Sequence, residues 1–280
     1  MEKKLSKSNY FFIGSMLFGL FFGAGNLIFP VHMGQEAGYK IWIACIGFIT
    51  TGTGLTFLGI VAMGLSGQKN LFDLVGLVSK RWSYFFTILL YLTIGPFFAL
   101  PRTGTVSYTI GFSNIMPKEY SSLALFIFTL VFFGMALVFS LYPSKILLWV
   151  GKIFNPLFLV IISLLILFAI FNPMSDISTL IPNENYMTGT FFKGFTEGYN
   201  TMDAIASLAF GVIVVDTLRD LGVKEDKEIV ISLAKAGFVS LILMVIIYAG
   251  LSFVGAQSGG LFGISENGGI ALAQITQHYF

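Results

Sequence analysis

Long apolar runs separated by short polar connections dominate the pattern of this 280-residue chain. A helix needs about 20 residues to cross the roughly 30 Å hydrocarbon core of a bilayer, and the runs reach that length. The pattern predicts seven transmembrane helices, over residues 9–31, 41–66, 83–112, 121–142, 149–171, 191–215 and 230–255. Residues 256–280 are interpreted as the start of the next loop and span.

The continuous runs exclude the alternating segments of a membrane β-barrel, which are about ten residues long. Helices satisfy their backbone hydrogen bonds within one segment, as lipid requires. Composition agrees, because 56% of the residues are hydrophobic and 11% are charged, whereas soluble domains are about 25% charged. We therefore predict an all-α polytopic membrane protein with a single transmembrane domain, residues 1–280. The bilayer is its expected partner, and no nucleic acid is expected.

Basic residues are concentrated in alternate connections between the predicted helices. Those on one side are Lys3, Lys4, Lys7, Lys69, Lys80, Arg81, Lys145, Lys152, Arg219, Lys224, Lys227 and Lys235. Cytoplasmic loops carry the excess of Lys and Arg in membrane proteins, so we expect a cytoplasmic N-terminus. The first apolar run has no A-x-A cleavage site, and we interpret it as a retained helix rather than a signal peptide.

Two predicted spans contain helix-breaking and polar residues at mid-membrane depth. Span one contains GLFFGAGNLIFP, residues 19–30, and span six contains GYNTMDAIASLAFG, residues 198–211. An unwound helix exposes carbonyls and amides that can hold a cation and a carboxylate. Paired interruptions in two halves of a chain are typical of a transporter's binding site. The glycines alone would fit close helix packing, but their clustering with Asn26 and Pro30 favours a site.

Three ionisable residues within or near the predicted spans have competing interpretations. Asp203 lies near the centre of an apolar segment, where a charge is costly and by default functional, although it could also cap a half-helix. For Arg102 we favour structural pairing over substrate contact. An aspartyl pair of Asp203 and Asp216 is excluded, because thirteen residues of helix separate them by about 20 Å. An enzyme is therefore not expected.

The segments LFFGAGNLIFP, ALPRTGTVSY and GYNTMDAIASLAFG together resemble the bacterial branched-chain amino acid:cation symporter family, over essentially the whole chain. The resemblance implies a secondary active transporter of the inner membrane that imports leucine, isoleucine and valine with Na⁺, or alternatively H⁺. It also implies the five-plus-five inverted-repeat fold of the amino acid–polyamine–cation superfamily, with helices one and six broken. Family members have more spans than are predicted here, so we expect a partial fold, truncated at the C-terminus.

The resemblance also implies a set of site residues. The substrate would be held at Gly23, Ala24, Gly25, Asn26, Tyr199, Asn200, Thr201, Met202, Asp203 and Ala204. Backbone carbonyls of Gly19 and Phe22 would form the span-one part of a sodium site. No cofactor is expected apart from the coupling ion.

Two other functions remain open at this point. A truncated chain could be a non-transporting, ligand-sensing or regulatory membrane protein. A channel is the weaker alternative, because it would need a pore-lining ring or filter. The preference among leucine, isoleucine and valine is also open, since one methylene changes binding by only about 1–3 kcal/mol. The oligomeric state stays open too.

The distribution of basic residues generates a prediction about orientation. In cells treated with a membrane-impermeant thiol reagent, Asn183→Cys should be labelled and Lys224→Cys should be protected, because positively charged loops stay in the cytoplasm. Strong labelling at position 224 with none at position 183 would overturn this orientation.

Overall fold

A computed structural model describes residues 6–68, 70–113, 115–141, 154–223 and 225–280. Within these residues the regular secondary structure is helical, which confirms the predicted all-α class. Lys224, whose labelling tests the orientation, lies outside the described residues. So do the first residues of the predicted span 149–171.

The first half of the chain alternates long helices with short turns. Its α-helices are α1 (Lys7–Phe21), α2 (Ala24–Ala37), α3 (Ile41–Ile49), α4 (Thr56–Ser66), α5 (Leu71–Gly76), α6 (Lys80–Leu92), α7 (Ala99–Gly111) and α8 (Ser121–Ser140). Two π-helical turns connect consecutive helices. Thr50–Leu55 lies between α3 and α4, and Thr93–Phe97 lies between α6 and α7. Short 3₁₀ turns occupy Gly38–Lys40 and Lys118–Tyr120.

The second half of the chain is built in the same way. Its α-helices are α9 (Asn155–Phe171), α10 (Glu184–Met187), α11 (Thr190–Tyr199), α12 (Asp203–Asp220), α13 (Asp226–Phe262) and α14 (Gly268–Tyr279), with a 3₁₀ turn at Ile177–Thr179.

Several helical stretches in the described residues are long and apolar enough to cross a membrane. They are Ala24–Ser66, Lys80–Gly111, Ser121–Ser140, Thr190–Asp220 and Asp226–Phe262. Two shorter apolar helices cover Asn9–Phe21 and Asn155–Phe171. Because helices of this length and hydropathy match the thickness of a bilayer, the chain is a multi-pass membrane protein.

Helix α8 has the surface expected of a helix surrounded by lipid. None of its residues is buried, and the side chains of Phe126 and Leu130 are 64% and 65% exposed. In water an apolar surface of this extent would mark a binding or aggregation surface. In a bilayer it is the surface that contacts acyl chains.

Glycines allow the central helices to approach one another closely. A side chain at Gly34 of α2 would overlap the backbone of α13, and one at Gly255 of α13 would overlap the backbone of Val31. Gly47 of α3 and Gly194 of α11 make the same kind of contact between their helices. Small residues are enriched at helix contacts in membranes for this reason. These contacts bring the helices that carry the candidate site together.

The connection 172–190, between the predicted spans 149–171 and 191–215, packs against the end of α2. The Tyr39 N–H donates to the Leu180 carbonyl (2.9 Å), and the Asn183 N–H donates to the Glu36 carbonyl (2.8 Å). Tyr186, in the same loop, is fully buried. The loop is therefore a packed part of the structure.

The close contact at Gly255 generates a prediction about stability. Gly255→Ala should lower the thermal unfolding midpoint, because the added methyl group meets rigid backbone and overpacking costs about 1–3 kcal/mol. Gly134→Ala is the matched control, since a Cβ at Gly134 would meet no atom within 4 Å. Fluorescence-detected unfolding in detergent measures both variants. Equal midpoints for the two would contradict the packing described here.

Candidate functional site

The first apolar span is broken at Phe22 and Gly23. Both residues have extended backbone angles, with φ −73° and ψ 102° at Phe22 and φ −124° and ψ −166° at Gly23. The Gly23 N–H donates to Asn26 Oδ1 at 2.9 Å, so the Asn26 side chain caps α2. A proline beside a break could mark the start or end of a half-helix, but Pro30 lies inside α2.

The break leaves two helix ends of opposite polarity next to each other. The last carbonyls of a helix and its first amides have no intrahelical partners, and they carry partial negative and positive charge respectively. The described residues supply no hydrogen-bond donor to the carbonyl of Gly19 or Phe22. These are the two carbonyls that the resemblance to the symporter family implies for a sodium site.

The second break lies at residues 200–202, between α11 and α12. Met202 has φ 70°, in the left-handed region that residues other than glycine rarely adopt. Thr201 stabilises the turn, because its hydroxyl donates to the Gly198 carbonyl (2.8 Å) and accepts from the Asp203 N–H (3.4 Å). Gly198 itself lies inside α11 and packs against Phe48. Its role is therefore close packing.

Asn26 joins the two breaks. Its Nδ2 donates to Asp203 Oδ2 and to the Tyr248 hydroxyl, and that hydroxyl donates to Asp203 Oδ2 at 3.0 Å. The exposed fractions are 1% for Asn26, 4% for Asp203 and 0% for Tyr248. Buried polar groups are costly unless they are hydrogen-bonded, so these three side chains stabilise one another. The network connects α2, α12 and α13.

Arg102 of α7 adds a positive charge beside both breaks. Its Nη1 donates to the Asn200 carbonyl at 3.0 Å, and the guanidinium lies 5.0 Å from the centre of the Phe29 ring. A Cβ built at Gly25 would lie 2.9 Å from the same Nη1. The guanidinium therefore has the carbonyl partner that a lone Arg at this depth requires.

The structure brings some of the predicted site residues together and leaves others apart. Those at the joined breaks are Gly23, Ala24, Gly25, Asn26, Thr201, Met202, Asp203 and Ala204. The Tyr199 side chain is 47% exposed, and the Asn200 side chain lies 3.4 Å from Glu197. Asn200 takes part only through its carbonyl. Gly19 lies inside α1, where a side chain would overlap the amide of Asn155.

Sequence reasoning missed two residues that hold the site. Tyr248 completes the buried network, and the Thr51 hydroxyl donates to the Phe195 carbonyl (2.7 Å), which attaches the π-helical turn to α11. A tyrosine within an apolar run is a usable signal, because its hydroxyl needs a partner when buried. In the described residues no cluster of three or more His, Cys, Asp or Glu side chains could hold a metal ion.

Comparison with known proteins gives consistent matches. Residues 6–280 match the family described as "Branched-chain amino acid transport protein". The branched-chain amino acid permease BrnQ of Lactobacillus delbrueckii subsp. lactis is 45% identical, covering 100% of this chain and 63% of that protein. The permeases BrnQ and BraB of Bacillus subtilis (strain 168) are 44% and 43% identical, covering 100% of this chain and 63% and 62% of those proteins.

The chain spans less than two thirds of the length of these curated relatives. No solved structure shows a significant match to it. The relatives are named as permeases, which are transporters rather than enzymes.

The buried network generates a prediction about Asp203. Asp203→Ala should lower the thermal unfolding midpoint, because it removes the acceptor of the Tyr248 hydroxyl and one of the two acceptors of Asn26 Nδ2. A buried group left unsatisfied costs about 1–3 kcal/mol. Asp203→Asn keeps an acceptor oxygen and should lower the midpoint less. Midpoints for Asp203→Ala equal to that of the unmodified chain would contradict the network.

Proposed function

This chain belongs to the branched-chain amino acid transport protein family, and we propose that it acts as a secondary carrier for leucine, isoleucine and valine. The observation that carries the proposal is the pair of helix breaks joined by Asn26 and Asp203 inside the apolar helices. The names of the three relatives, all branched-chain amino acid permeases, support the same substrate class.

The chemistry of the breaks suits a zwitterion. An amino acid carries a carboxylate and an ammonium group, and each needs a partner of opposite charge when it leaves water. The amide end of α2, at Ala24 to Asn26, offers donors to the carboxylate. The carbonyl ends of α1 and α11 offer acceptors to the ammonium. Gly23, Gly25 and the turn at Thr201–Ala204 would then lie along the substrate backbone, with Tyr199 and Asn200 at its edge.

We propose that a small cation binds with the substrate. The carbonyls of Gly19 and Phe22 have no donor from the described residues, and carbonyl oxygens are the ligands that hard cations prefer. Na⁺ is the favoured ion on this chemistry. H⁺ is the alternative, and Asp203 would be the group that accepts it.

We propose that the helices form seven spans, with the two broken helices as spans one and six. Helices α1 and α2 would form span one, α3 and α4 span two, α6 and α7 span three, and α8 and α9 spans four and five. Helices α11 and α12 would form span six, and α13 span seven. We propose that these belong to a five-plus-five inverted repeat in a bacterial cell membrane, with the N-terminus in the cytoplasm.

An enzyme built on two aspartates lacks support, since Asp203 and Asp216 lie thirteen residues apart along α12. That separation is about 20 Å in a helix. Asp216 instead lies 3.8 Å from Arg219, one turn along the same helix, with 63% of its side chain exposed.

Binding of tritiated leucine to the purified chain in lipid nanodiscs tests the proposal. We expect saturable binding that isoleucine and valine displace and glutamate does not. Gly25→Leu should weaken it at least tenfold, or about 1.4 kcal/mol, because the new side chain would fill the space beside Arg102 and Phe29. Gly134→Leu is the matched control at an open position of α8.

Three outcomes distinguish the parts of the proposal. Normal leucine binding by a correctly inserted Gly25→Leu variant would place the site elsewhere. Binding that strengthens when Na⁺ replaces choline, at constant ionic strength, would support sodium. Binding that depends on pH and not on Na⁺ would support the proton instead.

A further inference from the structure

A small cavity lies between the π-helical turn Thr50–Leu55 and α13, next to the end of α1. Its walls include Thr53 and Thr56 on one side, Ser240 and Met244 on the other, and Phe21 at the end of α1. Its volume is about 10 Å³. A cavity of this size is suited to a single water molecule and not to a larger ligand.

Two residues that line this cavity have hydroxyls for which the described part of the chain supplies no partner. The hydroxyls of Thr53 and Ser240 make no hydrogen bond to the described residues, and both side chains are only 2% exposed. Thr56 differs, because its hydroxyl donates to the Gly52 carbonyl at 2.8 Å. Most buried hydroxyls in proteins have a partner, and an exception calls for an explanation such as a bound water.

We propose that Thr53 and Ser240 together bind one water molecule, which bridges the π-helical turn to α13. Each hydroxyl has one donor and two acceptor positions, so a single water can accept from one and donate to the other. Such a bridge would give each of the two hydroxyls a hydrogen-bond partner. Buried waters of this kind make two to four hydrogen bonds and belong to the structure.

The lining of the cavity favours water over a cation. Among the residues that the structure describes, no charged side chain lines it, and its side-chain oxygens are the hydroxyls of Thr53, Thr56 and Ser240. A small hard cation usually takes about six oxygen ligands, and burial of an uncompensated charge is costly. A neutral molecule that both donates and accepts fits these groups.

The position of this water gives it a structural consequence. In the same π-helical turn, the Thr51 hydroxyl donates to the Phe195 carbonyl of α11, the helix that ends at the second break. Helix α13, on the other side of the water, carries Tyr248 of the buried network. The water therefore lies between the π-helical turn and α13, which both contact the helices at the breaks. Turns of this π-helical kind are frequent at functional sites.

A cycle of hydroxyl deletions tests the water. Thr53→Val and Ser240→Ala each remove one partner, so each should lower the thermal unfolding midpoint of the full chain. The double variant should be at least as stable as the less stable single variant, because a cavity with neither hydroxyl needs no water. Thr50→Val is the control from the same turn, since the Thr50 hydroxyl donates to the Ile46 carbonyl of its own helix.

Other outcomes would overturn the proposal. Additive losses in the double variant, or no loss in either single variant, would mean that no shared water is present. A midpoint that rises when NaCl replaces choline chloride, and loses this rise in Thr53→Val, would identify a cation instead. An experimental density map that resolves ordered water should contain one peak between the two hydroxyls, and an empty cavity would also contradict the proposal.

Discussion

The hydrogen bond from Asn26 to Asp203 is the interaction on which the candidate site depends. The oxygen of the Asn26 side chain caps α2 through the Gly23 N–H, and its nitrogen holds the carboxylate at the start of α12. The Asn26 side chain therefore caps the start of α2 and also connects α2 to the start of α12. Tyr248 completes the set from α13. The three side chains are almost fully buried, so each depends on the others for its hydrogen bonds.

Backbone contacts at glycines make this interaction possible. Helices α2 and α13 approach at Gly34 and Gly255, and α3 and α11 approach at Gly47 and Gly194. Between helices packed in this way, the hydrogen bond from Asn26 to Asp203 holds the start of α2 beside the second break. The partial charges of these ends are fixed before any ligand arrives. The proposed binding of a zwitterion uses that prearranged polarity, and Arg102 adds a full charge at its edge.

Both breaks could be predicted from the sequence, because helix-breaking and polar residues are rare in apolar spans. Gly23 and Asn26 mark the first break, and Asp203 marks the second. The sequence does not predict which of these residues forms a turn, caps a helix or packs against a neighbouring helix. Gly25 and Pro30 lie inside α2, and Gly198 serves packing in α11, since glycine suits a turn and a close contact equally well. Tyr199 is 47% exposed. Sequence reasoning does not anticipate this, because a short motif does not give the rotation of its helix. The partnership of Asn26 with Tyr248 is a contact between distant parts of the chain, which spacing cannot reveal.

The most direct test is an experimental structure of the chain with leucine, for example by electron cryomicroscopy with a bound antibody fragment. The account predicts density for the amino acid between the turn at Gly23–Asn26 and the turn at Thr201–Ala204. Its carboxylate should face the first amides of α2, and the Asn26–Asp203 hydrogen bond should be intact. Leucine bound away from both breaks, or breaks that are separated in the bound protein, would contradict the account.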